Sequence, residues 1–451
     1  MEPEIVLREC IKPSSPTPLH LKTHKLSLLD QVRGHGYFPM IFYYPFNQDN
    51  KNLPNPAGIN LIVPERLQLL KKSLSGTLSR FYPFAGKFRD NLSVDCDDDG
   101  IYFVQARVKS SLDEFLDKPD LRSIYKFIPF DSTESSGSIA GLHVGKIQVT
   151  IFACGGFVIC ACVSHLFGDG KTLSSFMKTW AATACGSIND NEGVFANTDA
   201  SVLFPQNNEL PENATAEGMN APFVKSDRFV TQRFVFDAKA IAKLKVKASR
   251  YSFVQNPTRV EVVSAIFSKS FKSGNPHKPV PLISHAVNLR KKSEPPMSEY
   301  SMGNIVWTTA NTGCTNDEEL GALVRQLREA IMKLGRDFVK SLQGEKGMMN
   351  ICEYAKDERE ARSRAEGKIL FSSWCNFGLY DVDFGFGKPI WVSNSGVFGT
   401  IPKFLNAILM MDTRYRDGIE AWVYVTEDDM KILESSEELL AFVKLNPSPL
   451  E

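Results

Sequence analysis

The sequence predicts two domains of mixed α and β structure, each a mixed sheet with helices packed on it. Three observations carry that expectation. The chain has 451 residues, more than one core accommodates, because single cores stop growing near about 250–300 residues. Strand-like and helix-like segments alternate through both halves. Between Gly186 and about Lys225 the composition shifts to Asn, Glu, Pro, Ala and Ser with few large apolar residues, as in a linker. The expected division is therefore 1–185, a linker over 186–225, and 226–451.

The elements follow in order. Leu67, Leu70, Leu74 and Leu78 recur at helical spacing over Leu61 to Phe81, and Tyr82-Pro83 ends that helix because proline cannot continue it. Ser93 to Val108, Lys146 to Cys154 and Phe157 to Val163 are apolar runs separated by turn residues and predict strands. Lys171 to Cys185 predicts a helix. Beyond the linker, Arg228 to Asp237 is strand-like, Ala238 to Arg250 is a basic helix and Thr258 to Lys272 an amphipathic one. Strands are expected at Leu282 to Leu289, Ile305 to Thr309, Ile369 to Trp374, Ile390 to Ser393, Ala407 to Met411 and Gly418 to Val425. One long helix is expected over Asp317 to Leu342.

Composition excludes several functions. Hydrophobic residues make up 43% and charged residues 23%, the proportions of a folded soluble protein. Lys plus Arg and Asp plus Glu both number 52, so the chain has no basic excess with which to bind nucleic acid generally. The nine cysteines include no C-x-x-C pair and no paired His, and are expected to be reduced thiols rather than metal ligands. Met1 to Cys10 has no apolar core of a secretory signal. The weakly polar stretch Ile151 to Phe167 is broken by Gly155-Gly156 and Ser164-His165 and divides into two strands rather than crossing a membrane. A cytoplasmic monomer that engages neither membrane nor nucleic acid is expected.

Most motif-like segments fail on inspection. Asp95-Cys96-Asp97-Asp98-Asp99-Gly100 begins like a calcium loop, but its twelfth position is Ala106 where a bidentate Glu is needed, so a solvated acidic turn is the better reading. Neither phosphate-loop pattern is completed, and G-x-S-x-G does not occur. Ser164-His165-Leu166-Phe167-Gly168-Asp169-Gly170 is different. His165 ends an apolar strand and precedes a Gly-rich turn that opens a helix, an arrangement that sets a side chain at the rim of a cleft. An imidazole with a pKa near ~6.5 is largely neutral at pH 7 and can take a proton from an alcohol as it attacks a carbonyl. On this segment alone, a structural His capping a strand is the other reading.

Asp383-Phe384-Gly385-Phe386-Gly387-Lys388-Pro389 lies far downstream. With His165-x-x-x-Asp169-Gly170 it resembles the paired HxxxDG and DFGWG signature of the plant BAHD acyltransferases, which use coenzyme A thioesters. The likeness extends to Ile11-Lys12-Pro13-Ser14-Ser15-Pro16-Thr17-Pro18, Phe81-Tyr82-Pro83-Phe84-Ala85-Gly86-Lys87, Asn288-Leu289-Arg290-Lys291-Lys292, Met302-Gly303-Asn304 and Ser373-Trp374. It is strongest toward the branch that holds vinorine synthase, salutaridinol acetyltransferase and the acylsugar acyltransferases. Phe386 departs from the usual Trp, which bears on local packing.

The resemblance implies two chloramphenicol-acetyltransferase-like domains joined by a crossover loop, with a channel between them and with about 385–410 returning to the first domain. It implies that His165 is the general base of direct acyl transfer from acetyl-CoA, the co-substrate, to a small-molecule alcohol. The acceptor would be an alkaloid, a terpenoid alcohol or a sugar ester. Asp169 would be structural, with Arg290 as its partner and Asp383 competing for the same arginine. Trp374 would face the developing oxyanion; Ser372, Lys247, Ser249 and Arg250 would bind coenzyme A, although the basic helix end also fits a solvated face. Gly385 and Gly387 would shape the downstream turn. No metal and no permanently bound cofactor is implied. Longer or aromatic acyl donors, a thioester hydrolase and a non-catalytic binder on the same fold are the alternatives.

Overall fold

The computed structural model describes residues 1–46, 56–129, 138–187, 195–224, 227–250, 254–274, 281–309, 319–362, 365, 367–395, 399–400 and 405–451. Within them, six strands form one sheet in the order Glu4–Ile11, Ile101–Val108, Gly145–Phe152, Phe157–Ser164, Tyr37–Tyr44, Trp391–Ser393. A second, eight-stranded sheet runs Val306–Thr308, Leu282–Asn288, Lys368–Ser373, Asn406–Asp412, Ile419–Thr426, Arg228–Phe236, with Gly399–Thr400 and Lys444–Leu445 both pairing to Arg228–Phe236. Both sheets are mixed. Ile101–Val108 is parallel to Gly145–Phe152, and Lys368–Ser373 is parallel to both of its neighbours.

Helices cover the sheets as the apolar periodicity requires. Pro56–Arg80 buries Leu70, Leu74 and Leu78 against the first sheet and packs on Gly170–Ala184. The Trp180 indole N–H seals that contact by donating to the Leu70 carbonyl at 3.1 Å, so a buried donor keeps a partner. On the second sheet lie Ala238–Ser249, Arg259–Ser273 and Glu427–Glu434, and Leu320–Lys333 packs on the first two of these helices. Thr258 and Glu261 form a reciprocal capping box at the start of the second of these. No helix among the described residues is long and apolar enough to cross a membrane.

Strand alternation then joins the two halves. In Asn406–Asp412 and Ile419–Thr426 the side chains of Ile408, Met410, Ala421, Val423 and Val425 enter the helix-covered core of the second sheet. Leu409, Met411, Trp422 and Tyr424 point to the opposite face, because side chains alternate along a strand, and belong to the core of the first sheet. One ion pair is sealed in this joint. Arg233 Nε lies 3.4 Å from Glu420 Oε1 with both side chains buried, and Glu420 also accepts from the indole N–H groups of Trp391 and Trp422, each at 3.0 Å. Trp391 comes from the first sheet, so the buried charge ties one sheet to the other. The Arg233 guanidinium stacks over its ring, 4.8 Å from the centroid.

Several expectations change. The helix expected over Asp317 to Leu342 is two helices, Leu320–Lys333 and Arg336–Ser341, with Gly335 in extended conformation between them; residues 317 and 318 lie outside the described residues. A further helix, Gly347–Arg362, follows. Glu4–Ile11 and Tyr37–Tyr44 are additional strands. Of the stretch of about 385–410 expected with the first half, Trp391–Ser393 pairs with Tyr37–Tyr44, whereas Asn406–Asp412 lies in the second sheet; 396–398 and 401–404 are outside the described residues. The described part of the linker folds into short helices whose Ala200, Phe204, Ala214 and Met219 pack with Leu28, Leu29, Val32 and Val339.

The joint makes a stability prediction. Arg233→Met should lower the unfolding free energy by about 3–5 kcal/mol, because Glu420 is left buried without its counter-ion. Adding Glu420→Leu should recover much of that loss. Denaturant midpoints of the single and double variants check both statements.

Candidate active site

The strand Phe157–Ser164 delivers His165 to the end of the first sheet, and backbone bonds fix the turn that follows. His165 N donates to the Gly36 carbonyl at 2.8 Å, and Ser164 Oγ to the His35 carbonyl at 3.0 Å. Asp169 then caps the helix Gly170–Ala184 by accepting from Thr172 N at 2.8 Å. The position at the rim thus follows from a strand end and a helix cap five residues apart.

The imidazole is held from behind by an amide. His165 Nδ1 lies 3.0 Å from Asn304 Oδ1, and Asn304 Nδ2 donates to the His165 carbonyl and to Asp30 Oδ1, both at 2.8 Å. Those two donor bonds fix which end of the amide is oxygen. Nδ1 must therefore carry the proton, and Nε2 keeps its lone pair, which is the tautomer a base needs. Asp30 accepts in turn from Ser27 N, Ser27 Oγ and Asn304 N. Burial pushes its carboxyl up to about 6, against the bonds from Ser27 and Asn304 that favour the anion. The His165 pKa is lowered from 6.5 by burial first and by the Arg33 cation second, opposed by its own carbonyl, Asn304 and Asp169.

Asp169 turns away from the imidazole. Its carboxylate makes a bidentate pair with Arg290, 2.7 Å to Nη1 and 3.0 Å to Nη2, and both side chains are almost fully buried. Burial raises the Asp169 pKa, but Arg290 and the Thr172 bonds more than offset this, leaving it below the ordinary carboxylate range. Arg290 spends further N–H groups on the carbonyls of Ser301 and Gly303. The pair therefore anchors the turn that presents Asn304.

A cavity of about 420 Å³ lies in front of His165. Its lining includes Asp169, Ser372, Trp374, Phe38 and Arg33. Trp374 follows the strand Lys368–Ser373, with its N–H bonded to the Met410 carbonyl at 2.8 Å. Ser372 precedes it by two residues, the spacing that places side chains on one face of a strand. The indole Nε1 rests against Gly170, where a Cβ would come within 2.6 Å of it. The glycine after Asp169 is thus demanded by the tryptophan. Among the described residues, no group of three His, Cys, Asp or Glu side chains is placed to hold a metal ion.

The profile of the Transferase family matches residues 1–440. The chain belongs to the BAHD acyltransferase family. It is 61% identical over the full length of both chains to an epi-neemfruitin B 7-O-acetyltransferase of Melia azedarach, and 58% identical, again over both full lengths, to a limonoid 7-O-acetyltransferase of Citrus sinensis. The crystal structure of vinorine synthase, at 32% identity, superimposes with a TM-score of 0.78 over 98% of this chain and 99% of that one. The protein is accordingly a BAHD acyltransferase with the mixed α/β, two-domain fold of vinorine synthase.

The other signature residues of this BAHD chain fall outside the cavity. Asp383 is not a partner of Arg290: its Oδ1 accepts from Gly385 N at 2.8 Å and Gly387 N at 3.0 Å, where positive φ values of 93° and 107° suit glycine. Phe386 packs among Tyr44, Phe157 and Phe384, with the Arg66 cation 5.0 Å from its ring. Lys247, Ser249 and Arg250, at the end of Ala238–Ser249, do not line the cavity, and Lys247 is ion-paired with Glu438. Two residues that sequence reasoning gave no role, Asp30 and Asn304, position His165. Asn304 lay within a noticed tripeptide, but a buried amide 139 residues from its His carries no sequence signal.

Two predictions test this site. Since His165 stays neutral below its ordinary pKa, kcat/KM should hold level as pH falls through 6.5, with the acidic limb lower. Asn304→Asp, which sets a carboxylate on Nδ1, should move that limb upward in a pH–rate profile. Gly170→Ala should displace Trp374 and lower kcat by about tenfold or more, with unfolding still cooperative; an unchanged kcat would show that the ring tolerates the shift.

Proposed function

We propose that the protein transfers an acetyl group from acetyl-CoA to a hydroxyl of an oxygenated terpenoid of the limonoid type, with His165 Nε2 as general base. Nε2 takes the hydroxyl proton while the oxygen attacks the thioester carbonyl. The C–S bond of the resulting tetrahedral species breaks, and the thiolate of coenzyme A receives the proton from the imidazolium. Trp374 is assigned to the oxyanion, where a single such donor contributes about 2.7–4 kcal/mol, and Ser372 to coenzyme A. The coenzyme's phosphates are assigned to Lys247, Ser249 and Arg250. Asp169 and Arg290 act as supports.

The observation that carries the mechanism is the Asn304 bond, which commits the proton to Nδ1 and the lone pair to Nε2. For the acceptor, support comes from two relatives named as 7-O-acetyltransferases of epi-neemfruitin B and of limonoids, both near 60% identity along the entire chain. Relatives named for alkaloid acetylation are at 33–36% identity. A cytoplasmic monomer remains part of the proposal.

The test is acetyl-CoA with a limonoid that bears a free 7-hydroxyl, followed by mass spectrometry of the product and by release of free thiol. Acceptor-dependent release is expected. His165→Ala should lower kcat/KM by about 10²–10⁴ with the thermal midpoint retained. Thiol release that ignores the alcohol would instead identify a thioester hydrolase, and acetylation of alkaloid alcohols alone would reassign the acceptor.

A further inference from the structure

The catalytic cavity contains a cation without a task in the scheme above. Arg33 lines it together with His165, and also lines a neighbouring polar cavity of about 410 Å³ bordered by His35, Asn91, Asn207 and Asn208. The side chain stands between the two. Its Nη2 donates to the Val306 carbonyl at 2.9 Å, and its Nε is enclosed with no hydrogen-bond partner among the described residues. Asp30, Asp169 and Glu358 act on it from a distance, but no described carboxylate forms an ion pair with it. Arg290, by contrast, is fully paired. The Arg33 side chain keeps partial exposure, and its Nη1, which makes no hydrogen bond among the described residues, is a strong donor for a ligand oxygen.

Its place in the fold says which substrate supplies that oxygen. Val306–Thr308, to which Arg33 is tied, is the outermost strand at one edge of the second sheet. The helix assigned to the coenzyme's phosphates follows Arg228–Phe236, five strand positions away, or about 24 Å at ordinary strand spacing. Arg33 thus lies at the opposite end of that sheet from the helix assigned to the donor's phosphates.

We propose that Arg33 is an acceptor-binding residue. It hydrogen-bonds a carbonyl or ether oxygen of the alcohol substrate, remote from the hydroxyl that meets His165, and so selects polyoxygenated acceptors and the hydroxyl they present. A rigid oxygenated terpenoid would extend past it into the second cavity. This rests on the acyltransfer reading given above and on its assignment of the donor side.

The experiment compares the wild-type protein with Arg33→Met and Arg33→Lys. The wild type is first assayed with acetyl-CoA against limonoid, alkaloid and oxygen-poor terpenoid alcohols, and the oxygenated acceptor it uses best serves for the comparison. A failure of the limonoid reading therefore appears in the wild type, and a failure of the Arg33 role appears in the variant ratios. For Arg33→Met the acceptor KM should rise about tenfold or more, as for loss of a bond to a charged group. Acetyl-CoA KM should stay within about twofold, and the preference for the oxygenated over the oxygen-poor alcohol should fall by the same factor as the acceptor KM rises. Arg33→Lys should recover part of the loss. The thermal midpoint of Arg33→Met should not fall, since an uncompensated charge has been removed. An unchanged acceptor KM, a rise confined to acetyl-CoA, or a loss in kcat alone would each overturn the proposal, the last by showing that Arg33 acts only through His165.

Discussion

The active site depends on one buried ion pair, Asp169 with Arg290. The acid closes the turn after His165 and caps the helix behind it; the base ends the loop after Leu282–Asn288 in the second sheet. Buried pairs contribute little net stability when compared with apolar replacements, because desolvation cancels most of the attraction. Their geometric effect is larger. Once Asp169 occupies two N–H groups of Arg290, the rest of the fork reaches the carbonyls of Ser301 and Gly303 and holds that turn against the first sheet. Asn304, the next residue, is thereby delivered to His165. Asp169 therefore orients His165 through an arginine and an amide from the other half of the chain, although it is four residues away in sequence.

This geometry explains how much was legible in the sequence. The rim position of His165 could be read because a strand end, a Gly-rich turn and a helix start are local signals, and the structure has all three within Phe157–Ala184. The leucine stripe of Pro56–Arg80 was legible for the same reason. Glu4–Ile11 was not, since it is an edge strand of mostly solvated side chains in which Ile5, Val6 and Leu7 run consecutively before Arg8 and Glu9, giving no alternation. Tyr37–Tyr44 carries Pro39, which argues against a central strand; Trp391–Ser393 covers only Ile41 to Tyr43, so Pro39 sits beyond that pairing. The break at Gly335 left the apolar period on both sides intact, and the pattern therefore read as one helix. Contacts such as Asp30 to Asn304 are 274 residues apart and involve residue types that are common on surfaces, so nothing marked them.

The joint between the sheets follows another constraint. Asn406–Asp412 and Ile419–Thr426 are buried on both faces, one toward their own helices and the other toward the first sheet. A strand in that position has no polar face left to solvent, and polar groups within it must find partners inside. Glu420 does so with two indole N–H groups and Arg233, whose own Nε and Nη1 are buried without a hydrogen-bond partner among the described residues. Its carboxyl is nevertheless pushed up by burial, with Arg233 opposing the shift. Directional bonds here register one sheet on the other, whereas apolar contacts alone would leave the sliding coordinate softer.

The choice of an amide to orient His165 bears on both halves of the proposed reaction. A carboxylate at Asn304 would fix the same tautomer but would stabilise the imidazolium and raise its pKa. Asn304 supplies direction without charge, while burial and the Arg33 cation lower the pKa. That makes His165 a weaker base in the first step, yet keeps it unprotonated and available at pH values where a free imidazole is partly charged. In the second step the same field is an advantage. An imidazolium formed beside Arg33 is a stronger acid than usual, and the departing thiolate, a stronger base than imidazole, is the group that needs its proton. A site tuned in this way favours rapid hand-over of the proton from alcohol to sulfur and disfavours an imidazolium that persists, which accords with direct transfer in one ternary complex.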